Sequence, residues 1–280
     1  MGPEVGLPAA PAAAQNAASP KHLLLEHVEL RYRKPSDEQQ FLALHGVDLV
    51  IERGELITIV GPSGCGKSSL LLVIQGLLKP SAGQVSLNGK PIRGPGQDRA
   101  LVFQEFALLP WRSVLHNVEL GLEIQQLPTH RRRELAQQNI RRVGLAKFAD
   151  YFPHQLSGGM RQRVGIARAL AVDPEVLLMD EPFGALDAQM RQLMATELLR
   201  IWEADRKTIV FVTHDVDEAI FLADRVVVMS ASPGRVLEVL PIELPRPREP
   251  DVRNSPSFAE YRRRIWQHLE REVRASLDLT

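Results

Sequence analysis

Five short runs are apolar at nearly every position: LITIV at 56–60, RALVF at 99–103, VLLMD at 176–180, TIVFVTH at 208–214 and VVVMS at 226–230. Such continuity suits parallel strands covered on both faces, and helical patterns between many of them predict an α/β core. Ahead of the first run, HVELRYR (27–33) and VDLVIERGE (47–55) alternate apolar with polar residues, which predicts an antiparallel edge sheet with one wet face. The texture changes between Phe106 and Phe152, where VLHNVELGLEI and HRRRELAQQNIRRVGLAKF carry helical periodicity and little strand character. This predicts a helical subdomain, at about 106–165, inserted into a sheet domain at 21–245. Beyond a break at PRPREP (245–250), Phe258, Tyr261, Ile265, Leu269 and Val273 form one helical stripe, so 246–280 reads as a linker and an amphipathic helix packed back on the core.

Composition narrows this picture in three ways. At 280 residues and 44% hydrophobic content the chain can bury one large core or two modest ones. Lys plus Arg and Asp plus Glu number 34 each, so no overall field draws in nucleic acid or anionic lipid, and the basic runs Arg131 to Arg133 and Arg262 to Arg264 read as solvated helix faces. Cys65 is the lone cysteine, which fits a reducing cytosol and leaves no disulfide or zinc cluster. The Ala- and Pro-rich residues 1–20 read as a disordered tail in place of a secretion signal. No run approaches the roughly 20 apolar residues of a spanning helix, so any work at a membrane needs another chain to cross it.

The first chemistry-bearing motif is GPSGCGKS: Gly61, Pro62, Ser63, Gly64, Cys65, Gly66, Lys67 and Ser68. It fits G-x-x-x-x-G-K-[ST] and stands between the strand LITIV and the helical run KSSLLLVIQGLL, where a phosphate cradle must stand. Backbone N–H groups and the helix start face phosphate oxygens there, with Lys67 reaching the β- and γ-phosphates, Ser68 binding Mg²⁺ and Ser69 standing at the phosphate end of the helix. A helix N-terminus could lower the Cys65 thiol pKa, yet Cys65 fills a variable slot and reads as incidental.

Asp180 and Glu181 end an apolar strand on the carboxyl edge where open α/β sheets collect ligands. Asp180 suits a direct or water-mediated Mg²⁺ contact, Glu181 suits polarising an attacking water, and Asp187 can cap the following helix. His214 ends another such strand and reads as a γ-phosphate contact. Gln104 closes a third; its amide reaches Mg²⁺ or water, or caps the turn, and both readings stay open. In LSGGMRQR, Ser157 is a good N-cap, and with Gly158 and Gly159 it builds a second anion-binding helix start that one nucleotide cannot easily share with the first.

In this order, GPSGCGKS, FQ, LSGGM, LLMDEP, GALD and VTHD resemble the nucleotide-binding subunits of ATP-binding cassette transporters, from about His22 onward. The resemblance implies a P-loop NTPase core with a parallel sheet, an antiparallel β edge subdomain and an inserted helical subdomain. It implies ATP and Mg²⁺ as ligands and two copies facing head to tail, Ser157, Gly158 and Gly159 of each covering the γ-phosphate held by the other. It implies that GALD (184–187) runs between the two sites and that Tyr32 stacks on adenine, although Tyr32 also reads as a core residue of its strand. Leu108, Leu109, Pro110 and Trp111 then form either a seat for a cytoplasmic helix of a transmembrane permease subunit or a buried patch of the helical subdomain. LLPWRSVLHNVELGLE and the tail LPRPREP resemble the nitrate, sulfonate and taurine importers, which implies an indirect partnership with a solute-binding protein and a place on the cytoplasmic face of a bacterial inner membrane. A soluble cassette ATPase in DNA repair or on ribosomes is the alternative.

Overall fold

The computed structural model describes residues 21–33 and 40–277, so the tail expected at 1–20 lies outside the described residues. Strands β1 (Lys21–Arg33) and β2 (Gln40–Glu52) are long and antiparallel. Strand β3 (Leu56–Val60) turns away into the first helix, α1 (Lys67–Gln75), after which β4 (Ala82–Leu87) returns to β1 and β5 (Lys90–Pro91) closes a four-stranded sheet of order β2-β1-β4-β5. Neither β4 nor β5 belonged to the sequence reading.

Next come β6 (Arg99–Val102) and the helices α2 (Val114–Ile124), α3 (Thr129–Arg142) and α4 (Gly158–Ala171). They lead to β7 (Val176–Asp180), α5 (Ala188–Asp205), β8 (Thr208–Val212), α6 (Val216–Leu222), β9 (Arg225–Met229) and β10 (Val236–Pro241). The second sheet has the order β10-β9-β3-β8-β7-β6, parallel throughout except for β10. This is the α/β architecture expected from the apolar runs.

The continuous apolar runs have a direct structural cause. Successive strand residues face opposite sides, so Val176, Leu178, Val210 and Val212 enter the core shared with α1 and the antiparallel sheet. Leu177, Met179, Ile209 and Phe211 enter the core shared with α4, α5 and α6. Alternation is therefore invisible in the sequence, because both faces are dry. Helix α1 lies between the two sheets, with Leu70, Leu71, Val73 and Ile74 in the first core. That burial fixes the direction in which its N-terminus points.

Helices α2, α3 and α4 pack on one another, while α4 also packs on β6. Their apolar residues Leu115, Val118, Ile140 and Val164 belong to the same cluster as the sheet residues. The helical region is thus continuous with the core through α4, which runs on to Ala171. At the far end, α7 (Pro256–Leu277) buries Phe258 and Ile265 completely and Tyr261 and Leu269 in part, whereas Val273 at the end of the same stripe is exposed. Residues 246–250 are held firmly. Arg248 is buried and donates to the carbonyl oxygens of Ile220, Phe221, Ala223 and Ile242 at 2.7–3.2 Å, satisfying the last turn of α6. Arg246 donates to Asp224 and to the Leu222 carbonyl at 2.8 Å.

Candidate functional site

The parallel strands β3, β6, β7 and β8 all end on one edge, and the loops after them carry the chemistry. After β3 the chain folds back so sharply that Gly66 takes φ +97°, and a Cβ there would meet the Leu44 side chain at 2.8 Å. Lys67 is buried beneath this loop, its Nζ donating to the carbonyl oxygens of Gly61 and Pro62 at 2.9 and 3.0 Å. A cation tethered so close to a helix N-terminus makes the loop a place for anionic oxygen. Cys65 is fully buried under the same loop, and burial pushes its thiol pKa up, opposed by the Lys67 charge. The sequence-based idea that the helix start lowers this pKa is therefore corrected, because loss of water outweighs the nearby positive charge.

Opposite the loop, Ser68 Oγ donates to Asp180 Oδ1 at 3.0 Å. Burial raises the Asp180 pKa, the neighbouring Glu181 adding to the effect while the Ser68 hydrogen bond and Lys67 oppose it. A cation beside Asp180 would relieve that desolvation. The hydroxyl of Ser68, the carboxylate of Asp180 and the amide oxygen of Gln104 are hard donors of the kind that fit Mg²⁺ shared with phosphate oxygens. Gln104 is exposed, and its amide nitrogen lies 3.5 Å from where a Cβ on Gly184 would sit, which places it beside the turn after Glu181.

Glu181 has φ +43°, a conformation that costs a non-glycine residue about 1–3 kcal/mol and is kept here by its N–H donating to the Val212 carbonyl at 3.0 Å and its C=O accepting from Gly184 N–H at 3.0 Å. Its Oε2 lies 3.0 Å from His214 Nδ1. Carboxylate and imidazole thus face each other next to the Ser68–Asp180 pair. Asp187 caps α5 by accepting from Met190 N–H at 2.9 Å, as its place in GALD suggested.

Tyr32 is not a core residue: it is 38% exposed, and its hydroxyl lies 2.9 Å from Ser69 Oγ at the start of α1. Ser157 caps α4, accepting from Met160 N–H at 3.3 Å, and is exposed. Gly159 packs against α5 so tightly that a Cβ would meet Met190 Sδ at 2.9 Å. Among the described residues no hydrogen bond or ion pair joins this helix start to the phosphate loop.

Several participants were not visible in the sequence. Arg168 of α4 donates to the carbonyl oxygens of Ala107 and Phe106 at 2.6 and 3.2 Å, fixing the loop after Gln104. Asn117 is fully buried and holds Leu109, Arg112 and Ser113 of the loop that displays Trp111 through four hydrogen bonds of 2.8–3.1 Å. Trp111 itself is 71% exposed, with Phe103, Tyr151 and Phe152 also exposed.

A further buried acid is Glu218. Burial pushes its pKa up to about 7, with the Thr213 hydrogen bond opposing and Asp215 adding to the rise. The folded protein therefore favours the neutral acid. Its contribution to stability is complete below about pH 4.5 and is lost between there and about pH 7, a total of about 3 kcal/mol. Glu218→Gln, which cannot ionise, should accordingly melt several degrees above wild type at pH 8, with the gap shrinking as pH falls to 5.5. A gap independent of pH in thermal scans would contradict the burial of this charge.

The comparisons with known proteins fall on the same segments. Residues 44–184 match the family model described as ABC transporter. A taurine import ATP-binding protein of Yersinia pestis is 52% identical over 198 residues, 71% of this chain and 78% of the relative. The chain belongs to the ABC transporter ATP-binding family. It is an ATPase of that class, and ATP is its nucleotide. A nitrate import ATP-binding protein of Synechococcus elongatus is 45% identical over 241 residues, covering 85% of this chain and 88% of the relative. Among solved structures, a dimeric ATP-binding cassette in a post-hydrolysis state with ADP and Pi superposes with a TM-score of 0.70 at 34% identity, covering 79% of this chain and 99% of that one. The P-loop NTPase fold is thereby established along with the family.

Proposed function

We propose that the chain is the motor subunit of a membrane importer for nitrate, a sulfonate, taurine or a similar small solute, working as a head-to-tail pair with two ATP molecules at the interface. The observation that carries the catalytic half of this reading is the juxtaposition, on one sheet edge, of Ser68 with Asp180 and of Glu181 with His214. Lys67 and the loop from Gly61 to Ser68 hold the β- and γ-phosphates, Tyr32 packs on the adenine, and Ser69 steadies the Tyr32 hydroxyl. Ser68, Asp180 and Gln104 hold Mg²⁺, which when bound screens the phosphate oxygens. Glu181 orients a water and accepts its proton, and His214 holds the γ-phosphate side of the site. Ser157, Gly158 and Gly159 serve the nucleotide of the other copy.

The transport half rests on relatives that are nitrate and taurine import proteins, and on an exposed apolar surface that includes Trp111, in a loop held by Asn117. Among the described residues no helix is long and apolar enough to cross a membrane. The patch suits a cytoplasmic helix of a permease subunit, which would seat the chain peripherally on the cytoplasmic face of a bacterial inner membrane, with a solute-binding protein as an indirect partner. Extraction in mild detergent should recover the chain with a hydrophobic subunit. Trp111→Glu should lose that subunit while the purified chain still hydrolyses Mg-ATP. Wild-type chain that repeatedly purifies without a membrane partner would favour a soluble cassette ATPase.

A further inference from the structure

The turn that carries His214 is bound to the rest of the site by more than its own strand. Thr213 is buried, and its N–H donates to the Ile59 carbonyl at 3.2 Å. Its hydroxyl donates to Glu218 Oε2 and accepts from Asp215 N–H at 3.0 Å. Asp215 in turn caps α6, accepting from Glu218 N–H at 3.0 Å. Glu218 therefore grips the turn at two points, once by its carboxylate and once by its backbone.

A second element reaches the same turn from α5. Arg191 donates to Asp215 Oδ2 at 3.0 Å and, through its other terminal nitrogen, to the Leu186 carbonyl at 3.2 Å. Leu186 belongs to the 184–187 loop, whose first residue, Gly184, donates its N–H to the Glu181 carbonyl at 3.0 Å. A closed circuit results. From Glu181 one path runs directly to His214 across 3.0 Å, and the other runs through residues 184–186, Arg191 and Asp215 back to the residue beside His214. The cavity that Arg191 and Glu218 line holds about 100 Å³, well below the roughly 300 Å³ or more of a small-molecule pocket. The hydrogen bonds of these two side chains lead to the His214 turn and to the 184–187 loop.

We propose that Arg191 and Glu218 are positioning residues for His214, with Arg191 transmitting the position of the 184–187 loop to the His214 turn. The inference rests on the catalytic reading of Glu181 and His214 given above. A guanidinium is suited to this task because it bonds the carboxylate and the carbonyl from two nitrogens held in one rigid plane, whereas a lysine would donate to both from a single freely rotating nitrogen. Small displacements of a catalytic group lower turnover steeply while leaving substrate binding nearly untouched.

The test is steady-state ATP hydrolysis by the full chain at saturating Mg²⁺. Arg191→Ala and Glu218→Ala should each lower kcat about tenfold or more with KM for ATP within about threefold of wild type, and Glu218→Gln, whose amide oxygen can still accept from Thr213, should retain most of the turnover. In a His214→Ala background the effect of Arg191→Ala should shrink to within about twofold, because the residue acts through the missing side chain. An equal loss in both backgrounds would overturn the proposal, as would wild-type kcat in Arg191→Ala. Should Glu218→Ala not fold, the Arg191 cycle decides alone. Glu181→Gln serves as the control: if that variant turns over normally the catalytic reading fails, whereas a dead Glu181→Gln beside a fully active Arg191→Ala defeats only this inference.

Discussion

Glu181→Gln is expected to bind Mg-ATP as wild type does while releasing phosphate at least about a hundredfold more slowly, the range expected for loss of a general base. The substitution keeps the shape of the side chain and its reach toward His214, 3.0 Å away, but removes the carboxylate that accepts a proton. Nothing in the phosphate loop changes. Lys67 remains tied to Gly61 and Pro62, and Ser68 remains bonded to Asp180. Equilibrium binding of a fluorescent ATP analogue and a phosphate-release assay, run on the same preparation, check the two halves of the expectation. Wild-type phosphate release would remove Glu181 from its role.

Ser157→Arg is expected to abolish hydrolysis while leaving ATP binding by the isolated chain intact. The residue is exposed and bonds only the first turn of its own helix, accepting from Met160 N–H, so the cost to folding is that of a helix cap, about 1 kcal/mol. No hydrogen bond among the described residues connects it to the Lys67 loop, so the affinity of that loop should be preserved. On the proposed head-to-tail pairing, the bulky cation would remove the ability of this helix start to cover a nucleotide on another copy. Titration calorimetry with ATP and a turnover assay separate the outcomes. Loss of binding in the monomer would show that the glycine pair serves its own chain's site.

Much of this site was legible in the sequence because its motifs are local and its strands are doubly buried. LITIV and VLLMD correspond residue for residue to β3 and β7, since runs covered on both faces are apolar at nearly every position and stand out from the polar residues beyond them. The antiparallel strand β4 was not legible: its first three residues, Ala82, Gly83 and Gln84, are exposed and carry little strand preference. Strand β10 lies at the sheet edge and mixes exposed with half-buried positions, which again hides its period.

Arg191 and Glu218 escaped for a different reason. In AQMRQLM and DVDEAIF they look like ordinary charged residues of helix first turns; only a tertiary contact across 24 residues, to Asp215, brings Arg191 to the His214 turn, and only the burial of Glu218 turns its carboxylate onto Thr213. Arg248 was hidden likewise, since a proline-rich break does not announce an arginine buried against four carbonyl oxygens. Trp111 could be read either as core or as surface. Its exposure follows from Asn117, which holds the preceding backbone instead of letting the ring fold inward.

The claim on which the account stands is that each hydrolytic centre is assembled from two chains. Mixing Glu181→Gln with Ser157→Arg tests it most directly, because each variant alone should be inactive. In a mixed pair one centre combines the intact Glu181 and Lys67 of the Ser157→Arg chain with the intact Ser157 of the Glu181→Gln chain. The account predicts that phosphate release reappears on mixing and rises with the fraction of mixed pairs; verified mixed pairs that remain as inactive as either parent would contradict it.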